Sequence, residues 1–151
     1  MNKLSWVSYY MNIAEAVSTK SPDRTKVGSV LVSNKDNKIL STGYNSTPIG
    51  VNNDNIDFNN RELIKKIIIH SEINCVIYKH CFEECTLYVT RSPCEKCVVI
   101  LAAARVNKIV YKDDHKDITE SKKLCEFFNI ELIKYDITKY DKDLCDINYI
   151  I

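Results

Sequence analysis

The chain has 151 residues and a net charge of +1; 45% of its residues are hydrophobic and 27% are charged. This length suits one domain that can bury its own core, and the composition excludes a disordered chain. The balanced charge lacks the basic excess of most nucleic-acid binders. We expect a single domain over residues 1–151, with a core at about 5–135 and a C-terminal tail at 136–151.

The sequence has neither a membrane span nor a secretory signal by its apolar patterning. The longest uncharged apolar run covers residues 97–104, whereas a membrane helix needs about 20 apolar residues. Residues 1–17 lack the continuous apolar core of a signal peptide. Seven cysteines without an export signal favour thiols or metal ligands over disulfides. We therefore expect a cytoplasmic protein, or one of the host cytoplasm if its source is viral, with no membrane partner.

Hydrophobic periodicity predicts an alternation of helices and strands. In chain order, the predicted elements are a helix at 4–18, strands at 27–33 and 39–44, a helical region at 61–80, a strand at 86–90, a helix at 94–105, a strand at 108–111, a helix at 119–128 and a strand at 130–135. Strands separated by helices favour parallel pairing, and the first two strands form an antiparallel hairpin. The predicted fold class is α/β, a three-layer α/β/α sandwich around a five-stranded mixed sheet.

Two short motifs contain the residues suited to chemistry. They are His-Ser-Glu at 70–72 and Pro-Cys-Glu-Lys-Cys at 93–97, each near a predicted helix start. Two cysteines three apart lie on one side of a helical turn, and a helix N-terminus favours their thiolates. One histidine and two cysteines give three ligands and leave a fourth position for water, as in catalytic zinc sites. Glu72 can then move a proton without binding the metal.

The order H-x-E and then P-C-x-x-C is the signature of zinc deaminases. We therefore predict that His70, Cys94 and Cys97 bind one Zn²⁺ per chain and that Glu72 is the catalytic residue. Taken singly, each motif has a simpler explanation, namely a redox or packing cysteine pair and a core histidine. A redox pair would leave Glu72 and His70 without a role, so the two motifs together favour a metal centre.

Four further segments are similar to those of one known family. They are KVGSVLV at 26–32, STGYNSTPIG at 41–50, YVTRSPC at 88–94 and KIVY at 108–111, which match the family's first strand, its G-Y-N-G-x-P-x-G segment, its strand-to-metal turn and its fourth strand. On these residues the chain resembles the deoxycytidylate (dCMP) deaminases of the cytidine deaminase superfamily. The resemblance covers about residues 5–135 and implies a cytidine deaminase-like fold.

The resemblance implies a zinc-dependent hydrolase that converts dCMP to dUMP and ammonia, supplying dUMP for dTTP synthesis. Water activated by zinc attacks C4 of the cytosine, while Glu72 protonates the ring nitrogen and then the departing ammonia. One alternative is a deaminase of dCTP, or of both dCMP and dCTP. Another is a nucleic-acid-editing deaminase, which the near-neutral charge disfavours. A zinc module without catalysis would have a fourth protein ligand.

The resemblance also implies contacts with the substrate. Asn45 matches the family asparagine that holds the sugar, and Arg24 matches a position where relatives place a phosphate-binding arginine. His115 falls where relatives have a tyrosine near the base, and Lys116 follows it as the basic neighbour. The alternatives are a solvated Arg24, a turn-forming Asn45 and an exposed loop histidine.

Many members of this family are hexamers that dCTP activates and dTTP inhibits at a second site. The resemblance thus implies a homo-oligomer with both effectors, and Mg²⁺ would accompany a triphosphate. Tyr44, Pro48 and Gly50 match the loop of that effector site, but Ser46 replaces its second glycine, and serine resists backbone geometries that glycine allows. The remaining cysteines, at 75, 81, 85, 125 and 145, are interpreted as ordinary buried or surface thiols.

Overall fold

A computed structural model describes residues 3–115 and 117–142 of the chain. The elements in this part of the chain are α1 (Trp6–Ser18), β1 (Gly28–Ser33), β2 (Ile39–Tyr44), α2 (Arg61–Ile67), α3 (Ser71–Ile77), β3 (Cys85–Arg91), α4 (Glu95–Ala103), β4 (Val106–Asp113), α5 (Thr119–Phe127), β5 (Glu131–Lys134) and α6 (Ile137–Tyr140). A short 3-10 helix at Asn53–Asn55 interrupts the loop between β2 and α2. Every predicted strand is present, with ends that differ by at most two residues.

The five strands form one mixed sheet in the order β2-β1-β3-β4-β5. Strand β1 pairs antiparallel with both β2 and β3, whereas β3–β4 and β4–β5 are parallel pairs. The parallel pairs are those joined by the helices α4 and α5, because a parallel neighbour requires a crossover connection. The predicted combination of an antiparallel hairpin with parallel members is therefore confirmed.

The sheet separates two hydrophobic layers. Successive side chains of a strand point to opposite faces, so Leu87 and Val89 face one layer while Tyr88 faces the other. One layer contains Tyr10, Met11 and Ala14 of α1, packed on the sheet. The other layer includes the buried side chains of Cys75 in α3, Val98 and Leu101 in α4, and Cys125 in α5. This arrangement is the predicted α/β/α sandwich.

The predicted helical region at 61–80 is two helices rather than one. Ile68 leaves the helical conformation, with φ −79° and ψ 129°. Ile69 then pairs with Ser46 through two backbone hydrogen bonds, of 2.8 and 3.1 Å. This bridge to the β2 end ends α2 and starts α3 directly after His70. A second difference is α6, a one-turn helix in the segment predicted as a polar tail.

Gly43 allows helix α3 to lie directly on strand β2. A Cβ atom at this position would stand 2.4 Å from the carbonyl oxygen of Ser71 and 2.6 Å from the backbone nitrogen of Cys75. Both distances are far below contact, so only glycine permits this approach. The backbone that carries residues 70–72 is therefore held against the sheet.

The apolar run at residues 97–104 forms most of helix α4. Cys97, Val98 and Leu101 are buried, while Val99 and Ile100 are exposed. Among the described residues, none of the helices has the length and apolar character that a membrane crossing requires.

Candidate metal centre and active site

Two helix starts bring the three predicted metal ligands together. His70 is the N-cap residue of α3 and Cys94 is the N-cap residue of α4, with Cys97 one turn further along. The Nδ1 atom of His70 lies 3.7 Å from Sγ of Cys94 and 3.3 Å from Sγ of Cys97. The two sulfur atoms are 3.5 Å apart. All three donor atoms thus face one point between the two helices.

These distances fit a tetrahedral metal centre. With Zn–S of about 2.3 Å and Zn–N of about 2.0–2.1 Å, the edges of a tetrahedron measure roughly 3.6–3.8 Å. The observed separations of 3.3–3.7 Å are close to that range. Among the described residues this group of possible ligands has three members, which leaves one coordination position for a non-protein ligand. Soft sulfur with imidazole is a donor set that suits zinc.

The ligands also have altered proton affinities. Hydrogen bonds with Cys97 and His70 lower the pKa of Cys94 to about 3. The same pairing with Cys94, together with burial, raises the pKa of the Cys97 thiol, and the hydrogen bond with Cys94 raises the pKa of His70. The lowered pKa of Cys94 favours its thiolate form, which is the form that binds a metal, and metal binding would displace the remaining protons.

Glu72 is a buried carboxyl group beside this centre. Its exposed fraction is 4%, and it lines the same cavity as His70 and Cys94. Burial raises its pKa above the ordinary value, as expected when the charged form is desolvated. A carboxyl group of raised pKa is suited to accepting a proton and returning it during a reaction.

A short chain of hydroxyl groups holds the Glu72 carboxyl. The Ser71 hydroxyl donates to Oε2 of Glu72 at 2.8 Å, and the Oγ atoms of Ser71 and Ser29 are 2.6 Å apart. Since a hydroxyl has one hydrogen, Ser29 is the donor to Ser71. All three side chains are buried. The sequence analysis overlooked both serines as supports of Glu72.

The centre opens into a cavity of about 580 Å³. This volume lies within the usual range for small-molecule sites. The lining residues come from five places in the chain, namely Asp23, Thr25 and Val27 before or at the start of β1, Asn45 after β2, Arg61, Ile64, Lys65 and Ile68 around α2, His70, Ser71 and Glu72 at the start of α3, and Arg91, Ser92, Cys94 and His115 beside β3 and β4. The cavity is accordingly polar around the centre and flanked by cationic side chains.

Of the predicted substrate-binding residues, Asn45 and His115 line this cavity. The Asn45 amide also fastens the loop before β1, because its Oδ1 atom accepts from the Val27 nitrogen at 2.8 Å and its Nδ2 atom donates to the Thr25 carbonyl at 2.7 Å. His115 is exposed, and its backbone nitrogen donates to Oγ of Ser92 at 2.7 Å.

Of the other two predicted substrate residues, Arg24 is not among those that line the described cavity. Arg24 is exposed, and its Nη1 atom donates to Oδ1 of Asn59 at 3.3 Å rather than facing the cavity. Lys116 lies outside the described residues.

The predicted effector residues form a separate group. Tyr44 ends β2, where its carbonyl oxygen accepts from Nδ2 of Asn74 at 2.7 Å, and Pro48 and Gly50 are exposed in the following loop. None of these three lines the described cavity. Gly50 has φ +91°, whereas Ser46 adopts an ordinary negative φ. The serine at the family's second glycine position therefore introduces no backbone strain here.

Four charged groups of the cavity were not predicted from the sequence, namely Asp23, Arg61, Lys65 and Arg91. The buried Asp23 accepts from Nη1 of Arg61 at 2.6 Å, which ties α2 to the loop before β1. Arg91 ends β3, three residues before Cys94, and also lines the cavity. The position of Arg91 next to the metal motif was a usable signal. The Asp23–Arg61 pair has no such signal in the sequence, because 38 residues separate its partners.

Most of the chain matches one known protein family. The family model for the cytidine and deoxycytidylate deaminase zinc-binding region matches residues 4–113. A Caenorhabditis elegans protein named probable deoxycytidylate deaminase is 38% identical over 125 residues, covering 78% of this chain and 63% of its own length. The deoxycytidylate deaminase of Mycobacterium phage D29 is 31% identical over 128 residues, covering 74% of this chain and 97% of its own length.

A solved structure has the same architecture. The dCMP deaminase of cyanophage S-TIM5, in complex with dCMP and dUMP, superimposes with a TM-score of 0.70 at 25% sequence identity. The match covers 89% of this chain and 100% of the phage protein. The chain thus spans nearly the whole of both phage proteins, and somewhat less than two thirds of the nematode relative.

Proposed function

This chain belongs to the cytidine and deoxycytidylate deaminase family, and on that premise we propose that it hydrolyses dCMP to dUMP and ammonia. The observation that carries the proposal is the convergence of His70, Cys94 and Cys97 beside the buried Glu72 carboxyl. Three ligands with an adjacent proton carrier suit hydrolysis better than a closed structural site. The dUMP produced would supply dTTP synthesis.

In the proposed mechanism, His70, Cys94 and Cys97 hold one Zn²⁺. When bound, the zinc supplies a Lewis acid that makes water a nucleophile at neutral pH. Glu72 would accept a proton from the attacking water and pass it to N3 of the cytosine. It would then take the remaining proton from the oxygen added at C4 and deliver it to the amino group, so that the C4–N bond breaks as the C4 carbonyl forms and ammonia leaves. The burial of Glu72 suits this role, because desolvation raises the pKa of the carboxyl and makes it a better proton acceptor than an exposed carboxylate.

The dCMP assignment rests on the relatives named above. The curated phage relative is named a deoxycytidylate deaminase, and the solved cyanophage structure contains dCMP and dUMP. Asn45 and His115 line the cavity and could contact the sugar and the base. The hexamer, the effectors dCTP and dTTP, the accompanying Mg²⁺ and the cytoplasmic location stay predictions from the resemblance. The positions of Tyr44, Pro48 and Gly50 outside the cavity are compatible with a second nucleotide site.

The test is turnover of dCMP by purified, zinc-loaded protein, followed by the loss of cytosine absorbance. We expect conversion to dUMP, and we expect Glu72→Gln to lower kcat by at least about 10²–10⁴-fold, the usual contribution of a general acid–base group. Glu126→Gln, at an exposed position of α5, is the matched control and should retain full turnover. Zinc content, measured by mass spectrometry, should be one ion per chain in all three proteins.

Two results would contradict the proposal. Zinc-loaded, folded protein that leaves dCMP unchanged would overturn the substrate assignment, and dCTP, cytidine and RNA would then be assayed in turn. Undiminished turnover by Glu72→Gln would remove Glu72 from the mechanism. Addition of dCTP or dTTP to the same assay tests the predicted regulation.

A further inference from the structure

Among the described residues, the side chain of Arg91 has no hydrogen-bond partner, although part of it is buried. Within residues 3–115 and 117–142, its Nε atom is the buried side-chain nitrogen or oxygen that has no hydrogen-bond partner. No carboxylate in that part of the chain forms an ion pair with its guanidinium group. Buried polar groups normally have partners, and an exception calls for an explanation such as a missing ligand.

The other arginine and lysine side chains that line the cavity already form ion pairs. Arg61 binds the buried Asp23 at 2.6 Å, and Lys65 binds Glu62 at 3.0 Å. Among the arginine and lysine residues that line the described cavity, Arg91 therefore contributes the positive charge that is not balanced by a carboxylate. A cavity with such a charge favours an anionic ligand.

We propose that Arg91 binds the 5′-phosphate of the nucleotide, an inference that rests on the proposed function. The phosphate is the charged part of dCMP, since cytosine and deoxyribose are neutral. A guanidinium group presents parallel N–H donors that match two phosphate oxygens. Arg91 ends β3 and Cys94 starts the next helix, so one rigid connection would hold both the reacting base and the phosphate.

This assignment differs from the phosphate contact that the family resemblance implies. Arg24 occupies the position expected for that contact, but its side chain is exposed and bonded to Asn59 outside the cavity. Arg91 lines the cavity together with His70 and Glu72. The phosphate-binding function is thereby moved from the loop before β1 to the end of β3.

A purely structural role for Arg91 makes a different prediction. Asp113 is its register partner on the parallel strand β4, and both residues border a second, smaller depression. If Arg91 served only to neutralise Asp113, Asp113→Asn would destabilise the protein as much as Arg91→Gln does. Neither variant would then change the preference for a nucleotide over a nucleoside.

The test measures the binding of dUMP and of deoxyuridine to zinc-loaded protein by calorimetry. We expect wild type to bind dUMP more tightly than deoxyuridine, and Arg91→Gln to weaken dUMP binding by about 10- to 100-fold while leaving deoxyuridine within twofold. Arg91→Lys keeps the positive charge but loses the paired N–H donors of the guanidinium group, so it should give an intermediate loss of dUMP affinity. This variant also serves as the test if Arg91→Gln folds poorly. Arg105→Gln, at an exposed position remote from the cavity, is the control.

Several outcomes would overturn the assignment. For Arg91→Gln, these are an equal loss of affinity for dUMP and deoxyuridine, or no loss of affinity for either. A loss of dUMP affinity in Arg24→Gln instead would also overturn it, as would a wild type that binds dUMP no more tightly than deoxyuridine. The binding assay is independent of turnover. Wild type that binds dUMP but leaves dCMP unchanged would refute the proposed function while still testing Arg91.

Discussion

Ser71 lies between the histidine of the metal centre and the buried glutamate, and its hydroxyl group determines where the glutamate points. The Ser71 hydroxyl donates a hydrogen bond to Oε2 of Glu72 and accepts one from the Ser29 hydroxyl. Residues of two different elements therefore fix the position of this carboxyl oxygen. Because the group is buried, no bulk water competes for these bonds. Ser71 is accordingly a positioning residue for Glu72.

We expect Ser71→Ala to lower kcat for dCMP by about 5- to 20-fold, which corresponds to the loss of one hydrogen bond to a charged group. KM and the zinc content should stay near wild type, because no metal ligand is lost and the substitution removes a single oxygen atom from the cavity lining. Steady-state kinetics with metal analysis provide the measurement.

The serine pair offers a control for this prediction. Ser29 acts through Ser71, so Ser29→Ala should have a smaller effect, and the double variant should lose no more than Ser71→Ala alone. Strictly additive losses, or a rise in KM without a fall in kcat, would show that the hydroxyl chain does not position Glu72.

At the scale of elements, the end of the described chain completes the start of helix α1. Ser5 is the N-cap residue of α1, and its backbone nitrogen and hydroxyl donate to the Asp141 carboxylate at 2.8 and 2.7 Å. The Ser8 hydroxyl donates to the same carboxylate. The carboxylate also suits the positive end of the helix dipole. Helix α6 and the residue after it thereby join the layer formed by α1.

This contact makes stability depend on pH. Although burial alone would raise the pKa of the Asp141 carboxyl, the hydrogen bonds from Ser8 and Ser5 lower it below its ordinary value. A lowered pKa in the folded state stabilises the protein above the unfolded value of about 3.9, and this contribution is lost as the pH falls through the folded-state pKa.

We expect Asp141→Ala to lower the free energy of unfolding by about 1–3 kcal/mol at pH 7, as for other buried charge-assisted hydrogen bonds. The difference from wild type should shrink on acidification below about pH 4. Urea unfolding at several pH values measures both. Asp54→Ala, at an exposed residue of the 3-10 helix, should change stability by less than about 0.5 kcal/mol. A difference that persists unchanged at low pH would refute the role of the ionised carboxylate.

At the scale of the whole molecule, the candidate metal centre lies between two helices that are associated with different strands of the sheet. Helix α3 lies on β2 through Gly43, and α4 follows β3, so a metal ion at their N-termini would link both halves of the layer. A metal ion that binds only the folded state stabilises that state by mass action. The gain is about 2.7 kcal/mol when the free metal concentration is one hundred times Kd.

We therefore expect removal of the metal with a chelator to lower Tm by roughly 5–10 °C, the shift that such a free energy produces in a domain of this size. Zinc should restore the original Tm in calorimetry. Cys94→Ser should abolish the response, whereas Cys81→Ser, at a thiol outside the ligand group, should keep it. A wild-type Tm that is the same with and without zinc would argue against a metal centre in this protein.

Local pattern determined most of the architecture. Strands β3 and β4 and helices α4 and α5 follow from runs of β-branched residues and from helical spacing, because these preferences act between neighbours in the chain. The spacing of Cys94 and Cys97 needs only one helical turn, and His70 with Glu72 is equally local. The residues of the candidate centre could therefore be predicted from the sequence, and the structure added the distances between their donor atoms.

Tertiary structure decided the features that depend on partners far apart in the chain. The bridge between Ser46 and Ile69 split the predicted helical region, and the Asp23–Arg61 pair closed one side of the cavity. Periodicity cannot register such contacts, because it describes how a segment meets the core and not which side chain meets which. The same limit explains why the sequence predicted Arg24, and not Arg91, as a residue of the cavity. Both are arginines near the motif segments, and only packing determines which guanidinium group lines the cavity.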